Sequence, residues 1–258
     1  MNIDNRYCAV VNSHASYHDV LVVFLKTFQR HSAEIPLYIF TNRALAPTES
    51  DRFQILTYSS GNFRDQYMEC PLNVPYDYIL TFNDDYFLTA PPNYSEISRC
   101  VDVLEATEHA QIRFVRGPNF IQEQYEPKLY GLDNKLPFFF SQTLSLWKRE
   151  ELMRIFERVG PAGIARKGNE VQFEVLANSA CEKLGLTGLV YYSDERKVGS
   201  AHYESNIFPH VVSAVVDGYW NTREYAHELR QVEADYKLYL NPLRHRKSLL
   251  KKIGEIFE

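Results

Sequence analysis

Two adjacent carboxylates, Asp84 and Asp85, follow an apolar run, with the carboxamide of Asn83 before them and Tyr86-Phe87-Leu88 after. Charges this close, hemmed in by hydrophobic side chains, are costly unless a cation or solvent compensates them. The preceding Tyr78-Ile79-Leu80-Thr81-Phe82 reads as a buried strand, so the acidic oxygens arrive at its C-terminal tip. Hard carboxylate oxygens in such a place suit Mg²⁺ or Mn²⁺, and these cations serve best where phosphate oxygens must be neutralised. Metal-assisted phosphate chemistry is therefore the first expectation.

An acidic tip needs a frame, and the first half of the chain supplies one. Residues 7–11 form a β-rich apolar run ended by Asn12-Ser13-His14. From residue 17 to 28, Val20, Val23, Phe24, Thr27 and Phe28 recur at helical spacing, with Ser16 as the expected N-cap. Strands are expected at 37–40, stopping at Thr41-Asn42, and at 53–58, ending in Ser59-Ser60-Gly61-Asn62. A short helix over 63–70 leads into the acidic strand. This alternation is the layout of an α/β domain with a mostly parallel sheet. Ligands bind such sheets beyond the carboxyl ends of the strands. Asn12-Ser13, Thr41-Asn42, Gly61-Asn62 and Asn83-Asp84-Asp85 should thus converge on one cleft.

The second half is less regular. A helix is expected over 96–108 with Ser95 as its N-cap, and a strand over 110–115. Residues 117–137, rich in Tyr, Gly, Asn and Pro, read as a long site-shaping loop. Trp147 stands at the opening of a helix that runs to about Val159, a common place for a core tryptophan, though its ring also suits stacking on a sugar. A helix over 169–184 carries Glu170 and Glu174 one turn apart, and 188–192 is a late strand. Without a repeat or linker, residues 1–240 read as one domain, with halves at about 1–115 and 116–240. Residues 241–258 alternate Leu and Ile with Arg and Lys. That basic amphipathic pattern suits an anionic membrane surface or a partner, and equally a helix packed on its own domain.

Composition narrows the classes. The chain has 258 residues, 45% hydrophobic and 24% charged, as a soluble globular protein would. A formal net charge of -5 argues against a general nucleic-acid binder. Cys8, Cys70, Cys100 and Cys181 form no CxxC pair, so neither a zinc site nor a disulfide framework is expected. With no signal-peptide pattern and no apolar run of ~20 residues, the expected location is cytoplasmic, with peripheral contact at the inner face of the membrane if residues 241–258 bind lipid.

These residues together resemble the GT-A glycosyltransferases, which use nucleotide-sugar donors, and most resemble bacterial surface-polysaccharide enzymes whose motif is an acidic pair followed by Tyr-Phe-Leu. Asp84-Asp85-Tyr86-Phe87-Leu88 matches that form, at the position of the DxD motif. Residues 141–149, Asn169-Glu170-Val171-Gln172-Phe173-Glu174 and Gly218-Tyr219-Trp220-Asn221 are similar to further segments of the same group. The resemblance implies a GT-A fold and sugar transfer from a UDP-, GDP- or similar donor to a saccharide or lipid-linked saccharide. It implies Asp85 as the Mn²⁺ or Mg²⁺ ligand, with a C-terminal-half histidine beside it, His202 before His210. It puts Glu174 on the functional carboxylate, and if the reaction inverts the anomeric centre Glu174, supported by Glu170, is the expected general base. Asn12, Ser13, Asn42, Arg64, Asn83 and Asp84 are the expected contacts for base, ribose and diphosphate, by position alone. One residue departs from the pattern: Asn83 stands at the first DxD position and leaves the cation less negative charge.

Two other readings fit the acidic tip. Capsule-type sugar-phosphate transferases also carry Asn-Asp-Asp after an apolar strand, but their N-terminal Trp-Val-Asp-Gly signature is absent here. A degenerate GT-A domain that binds sugar nucleotides without turnover is favoured by Asn83.

Overall fold

The computed structural model describes residues 5–43, 53–59, 63–117, 122–159, 169–198 and 202–241. Its sheet strands are β1 (Tyr7–Asn12), β2 (Leu37–Thr41), β3 (Phe53–Thr57), β4 (Tyr78–Asn83), β6 (His109–Arg113), β7 (Gln124–Glu126), β8 (Leu129–Leu132), β9 (Ser145–Lys148) and β10 (Thr187–Tyr191). The short ribbon strands are β5 (Phe87–Leu88), β11 (Lys197–Val198), β12 (His202–Tyr203), β13 (His210–Val211), β14 (Val215–Val216) and β15 (Tyr219–Trp220). The helices are α1 (His18–Ser32), α2 (Phe63–Glu69), α3 (Tyr94–Ala106), α4 (Arg149–Val159), α5 (Asn169–Lys183) and α6 (Thr222–Tyr236).

The fold is mixed α/β, and its nine-stranded sheet has the order β3-β2-β1-β4-β9-β6-β10-β8-β7. Seven of these strands run one way and only β9 and β8 oppose them. The inner strands are apolar without alternation because both faces are covered. Tyr7, Ala9 and Val11 of β1 pack with α1, α3 and α6, whereas Cys8 and Val10 face a second cluster with Tyr38, Phe40 and Ile79. Beyond β4, a third cluster of Phe140, Trp147, Phe156 and Phe173 joins α4 and α5 to the sheet. At ~25 cal/mol per Å² of apolar surface, burial on both faces is the main force holding the layers together.

Several local expectations are corrected. A 3₁₀ turn at Ala15–Tyr17 precedes α1, and the ring of His14, not the hydroxyl of Ser16, caps it by accepting from Ser16 N at 3.1 Å. Asn93 caps α3, accepting from Glu96 N at 3.2 Å, so that helix begins before Ser95 and ends at Ala106. Residues 117–137 are not all loop: β7 and β8 pair antiparallel there and extend the sheet. Trp147 is a strand residue, paired with Ile79 and Gln111, and is buried in the core. Its neighbours on both sides made β9 the better home, and α4 starts only at Arg149. The sequence pattern also missed α6, whose Tyr225 sits at a kink (φ -126°, ψ 30°). Gly61-Asn62 and residues 242–258 lie outside the described residues. Among the described residues no helix is long and apolar enough to cross a membrane.

Candidate active site

β1 and β4 are neighbours, paired in parallel from Tyr7↔Tyr78 to Asn12↔Asn83, so their tips end level. The chain runs from β1 outward through β2 and β3, then returns to place β4 on the other flank of β1. That reversal opens the crevice in which open α/β sheets bind ligands. A cleft of about 980 Å³ lies there, lined by Asn12, Ser13, Asn42, Asn83, Asp84 and Asp85 among others. Six of the eleven residues expected from the sequence are thereby brought together. At the β3 tip the wall is made by Tyr58 and Ser59.

The acidic pair is held from two sides. Ser13 Oγ donates to Asp84 Oδ2 at 2.6 Å, joining the β1 and β4 tips directly. Asp85 is tied to the distant β14 region: Ala214 N donates to its carbonyl at 3.2 Å and Val215 N to Oδ2 at 3.3 Å. Asp217 and Gly218 form the β14–β15 turn and also line the cleft; both have positive φ (52° and 79°), as a two-residue hairpin turn of the mirror-image type requires. On the β2 side, Ala15 N donates to Asn42 Oδ1 at 2.8 Å, and Asn42 Nδ2 lies 3.0 Å from His14 Nε2. The buried Tyr58 hydroxyl donates to Ser13 O at 3.0 Å, and burial pushes that phenol up to about 12, with neighbouring Cys70 and Asp84 adding to the rise.

The cleft floor offers further polar atoms. Asn12 Oδ1 and Gln142 Nε2 are buried without a hydrogen-bond partner, an acceptor and a donor that a ligand or solvent would satisfy. Gln142 belongs to a loop clamped by α5. Its N–H donates to Glu174 Oε1 at 2.7 Å, while Asn178 accepts from Phe140 N at 3.0 Å and donates to Phe140 O at 2.9 Å. Beneath this loop Arg113 is buried, donating to the Phe138 and Phe139 carbonyls, the latter at 3.0 Å. Desolvation lowers its pKa to about 10, opposed mainly by the charge of Glu174. Tyr86 is held well above the ordinary tyrosine range by burial first, then by the charges of Asp85 and Glu174. Asp85, Tyr86, Glu174 and Arg113 thus share one electrostatic neighbourhood.

The other expected residues are placed differently. Arg64 does not line the cleft: Nε donates to Phe156 O at 3.1 Å and Nη1 to Asp65 at 2.7 Å, tying α2 to α4. Glu174 does not line the cleft itself but accepts from the N–H of Gln142, which does. Glu170 is in α5 and His202 is in β12, paired with Val198; the side chains of both lie outside the described residues. His210 is buried, its Nδ1 2.6 Å from Phe208 O and its ring stacked on Tyr86 at 5.0 Å. His14, Tyr58, Gln142 and Asp217 were missed by sequence reasoning, although His14 directly follows the β1 tip. Among the described residues no group of three or more His, Cys, Asp or Glu could hold a metal by itself.

No protein-family model matches the chain, and no curated protein matches it in sequence. Similar solved structures include S. aureus TarS 1–349, with a TM-score of 0.47 and 10% identity over 78% of this chain and 60% of that one. TarS 1–349 in complex with UDP-GlcNAc gives 0.45 and 10% over 77% and 57%. CMP:2-keto-3-deoxy-manno-octonic acid synthetase complexed with CTP gives 0.41 and 8% over 72% and 89%. The chain spans less than two thirds of either TarS structure.

Proposed function

We propose that the protein is a glycosyltransferase that moves a sugar from a nucleotide-sugar donor to a saccharide acceptor, assisted by a divalent metal, in surface polysaccharide assembly. The observation that carries this reading is the convergence of the Asn12-Ser13, Asn42, Tyr58-Ser59 and Asn83-Asp84-Asp85 tips on one cleft of about 980 Å³, large enough for a nucleoside diphosphate and a sugar. The sequence resemblance to GT-A enzymes supports the same assignment.

In this reading the donor lies across the β1–β4 crevice. Ser13 holds Asp84 in place to accept from a ribose hydroxyl, and Asn12 and Asn42 orient the base and ribose. The donor set fits Mn²⁺ or Mg²⁺ in company with the substrate: among the described residues Asp84 and Asp85 supply hard oxygens but too few to fill a shell, and the diphosphate and water would contribute the remainder. When bound, the cation would neutralise the departing diphosphate as a Lewis acid. His202 is the candidate additional ligand. Glu174, one oxygen of which accepts from the Gln142 N–H behind the cleft lining, serves as general base for the acceptor hydroxyl. Glu170, one turn earlier, supports it. The basic amphipathic residues 241–258 bring the enzyme to an anionic membrane face, where a lipid-linked acceptor resides. A second reading, sugar-nucleotide binding without turnover, is favoured by Asn83 and by the small donor set.

Incubation with a panel of UDP-, GDP- and CMP-sugars, with and without Mn²⁺, tests these assignments. Release of a nucleoside diphosphate, dependent on Mn²⁺, is the expected result. Release of a nucleoside monophosphate from a UDP- or GDP-sugar would instead mark phospho-sugar transfer, and binding without release would leave a binding module. For the membrane role, truncation after Asn241 should reduce sedimentation with anionic phosphatidylglycerol vesicles.

A further inference from the structure

Phe138 is the first of three consecutive phenylalanines, and it behaves unlike the other two. Phe139 and Phe140 are 1% and 3% exposed, whereas Phe138 is 48% exposed. Its backbone also stands at φ 67°, the left-handed region that a bulky side chain rarely adopts. Glycine or asparagine would take that conformation more easily and would not show an apolar ring to water. The fold nonetheless holds Phe138 there with a buried cation: Arg113, 2% exposed, donates to the carbonyls of Phe138 and Phe139 while its own Nε is buried without a hydrogen-bond partner. A strained backbone, an exposed ring and a desolvated guanidinium at one place mark a loop shape kept for something outside the protein.

The place is joined to the cleft through the chain. Ser145 of β9 is in register with Thr81 of β4 on one side and Arg113 of β6 on the other. Arg113 is therefore level with Thr81, two residues below Asn83, and β6 runs in the same direction as β4. The loop that Arg113 grips leads in four residues from Phe138 to Gln142, which lines the cleft. Phe138 thus lies beside the side chain of Arg113, the last residue of β6, on the flank away from β2 and β3 and outside the lining of the cleft itself.

We infer that Phe138 is a stacking platform for a pyranose ring of the acceptor saccharide; this rests on the glycosyltransferase reading above. A pyranose offers a face of C–H bonds, apolar and weakly positive, to which the negative face of an aromatic ring is complementary. Acceptor sugars approaching from this flank would meet the ring before their hydroxyl reached the donor. Arg113 acts as a positioning residue that fixes the angle of the platform.

The test is an NMR titration of protein labelled with ¹³C on phenylalanine rings and ¹⁵N throughout, the Phe138 signals being identified by their loss in Phe138→Gly. The probes are methyl β-glucopyranoside, methyl β-galactopyranoside and methyl β-N-acetylglucosaminide. At least one should shift the Phe138 ring signals saturably. Phe138→Trp should retain that binding. In Phe138→Gly and Phe138→Asn, read on the glycoside's own line broadening, it should weaken roughly five- to tenfold. Both small variants suit the local backbone and should match the wild-type melting temperature, so loss of binding would not be loss of fold. Unmoved Phe138 signals with all three glycosides, or wild-type affinity in Phe138→Gly, would overturn the platform. A parallel titration with UDP and Mg²⁺ reads the Ser13 and Gln142 amides. If those amides stay still while glycosides shift Phe138, the donor cleft fails and the sugar platform stands; if they move and Phe138 does not, the platform fails and the cleft stands.

Discussion

Replacing Asp85 separates its chemistry from its part in the fold. In Asp85→Ala the Val215 N–H loses its acceptor, but the Ala214 N–H still reaches the residue-85 carbonyl. The lost bond is long, at 3.3 Å, and partly buried, so its removal should cost about 0.5–1.5 kcal/mol. For a chain of this size that is a fall of roughly 1–6 °C in Tm. Asp85→Asn keeps an oxygen to accept from Val215 and should cost less than about 0.5 kcal/mol. Activity should behave the other way round. Both variants remove the negative charge assigned to the cation, a loss of several kcal/mol of charge stabilisation and so roughly a thousandfold in turnover. Differential scanning fluorimetry and nucleoside diphosphate release, run on both variants, give the two numbers. An Asp85→Asn enzyme within about tenfold of wild type would refute the metal assignment. A melting loss as large in Asn as in Ala would show that the charge is needed by the fold instead.

Other consequences can be checked in the same preparations. Mn²⁺ alone should give no calorimetric binding signal and should bind once UDP is present, because the described carboxylates are too few to hold it unaided; tight binding without nucleotide would contradict this. Ser13→Ala removes the 2.6 Å bond to Asp84 and should destabilise by about 1–2 kcal/mol in urea titration while weakening UDP binding. Asn178→Ala strands both polar groups of Phe140 and should cost about 2–4 kcal/mol, with turnover falling as the loop at Gln142 loosens; an unchanged urea midpoint would exclude the clamp. His31 and His109 both have pKa values lowered below 6.5, chiefly by burial, so below 6.5 the unfolded chain takes up protons that the folded chain resists. Stability should therefore fall as pH drops from 7.5 towards 5.5, and a His31→Gln/His109→Gln double variant should lose less over that window.

Much of the site was legible because strand tips announce themselves. Asn12-Ser13, Asn42 and Asn83-Asp84-Asp85 follow apolar runs too short for helices, and parallel pairing sends those tips to one edge. What could not be read were features that depend on distant partners. Arg64 looked free to meet phosphate until α4 supplied the carbonyl of Phe156. Trp147 lay between an apolar stretch and a helical pattern, and two flanking strands decided its state. β7 and β8 are short and partly exposed, so their periodicity is weak. α6 has a kink in its first turn and a polar surface, which blurred its spacing. Arg113 read as one polar residue in a strand; only its burial beneath the Phe138 loop gives it meaning.

The bonds that hold Asp85 also set a timetable. The Val215 amide that meets its carboxylate is 130 positions downstream. On a ribosome adding ~5–20 residues per second, the acidic tip would leave the exit tunnel several seconds before the segment that fixes it. The first four strands can pair early, since all of them lie before Asp84, but the cleft cannot acquire its final wall until almost the whole described chain has been made. A nascent or prematurely ended chain would carry the acidic pair without its wall, and under the proposed function would be silent in sugar transfer even with that half folded.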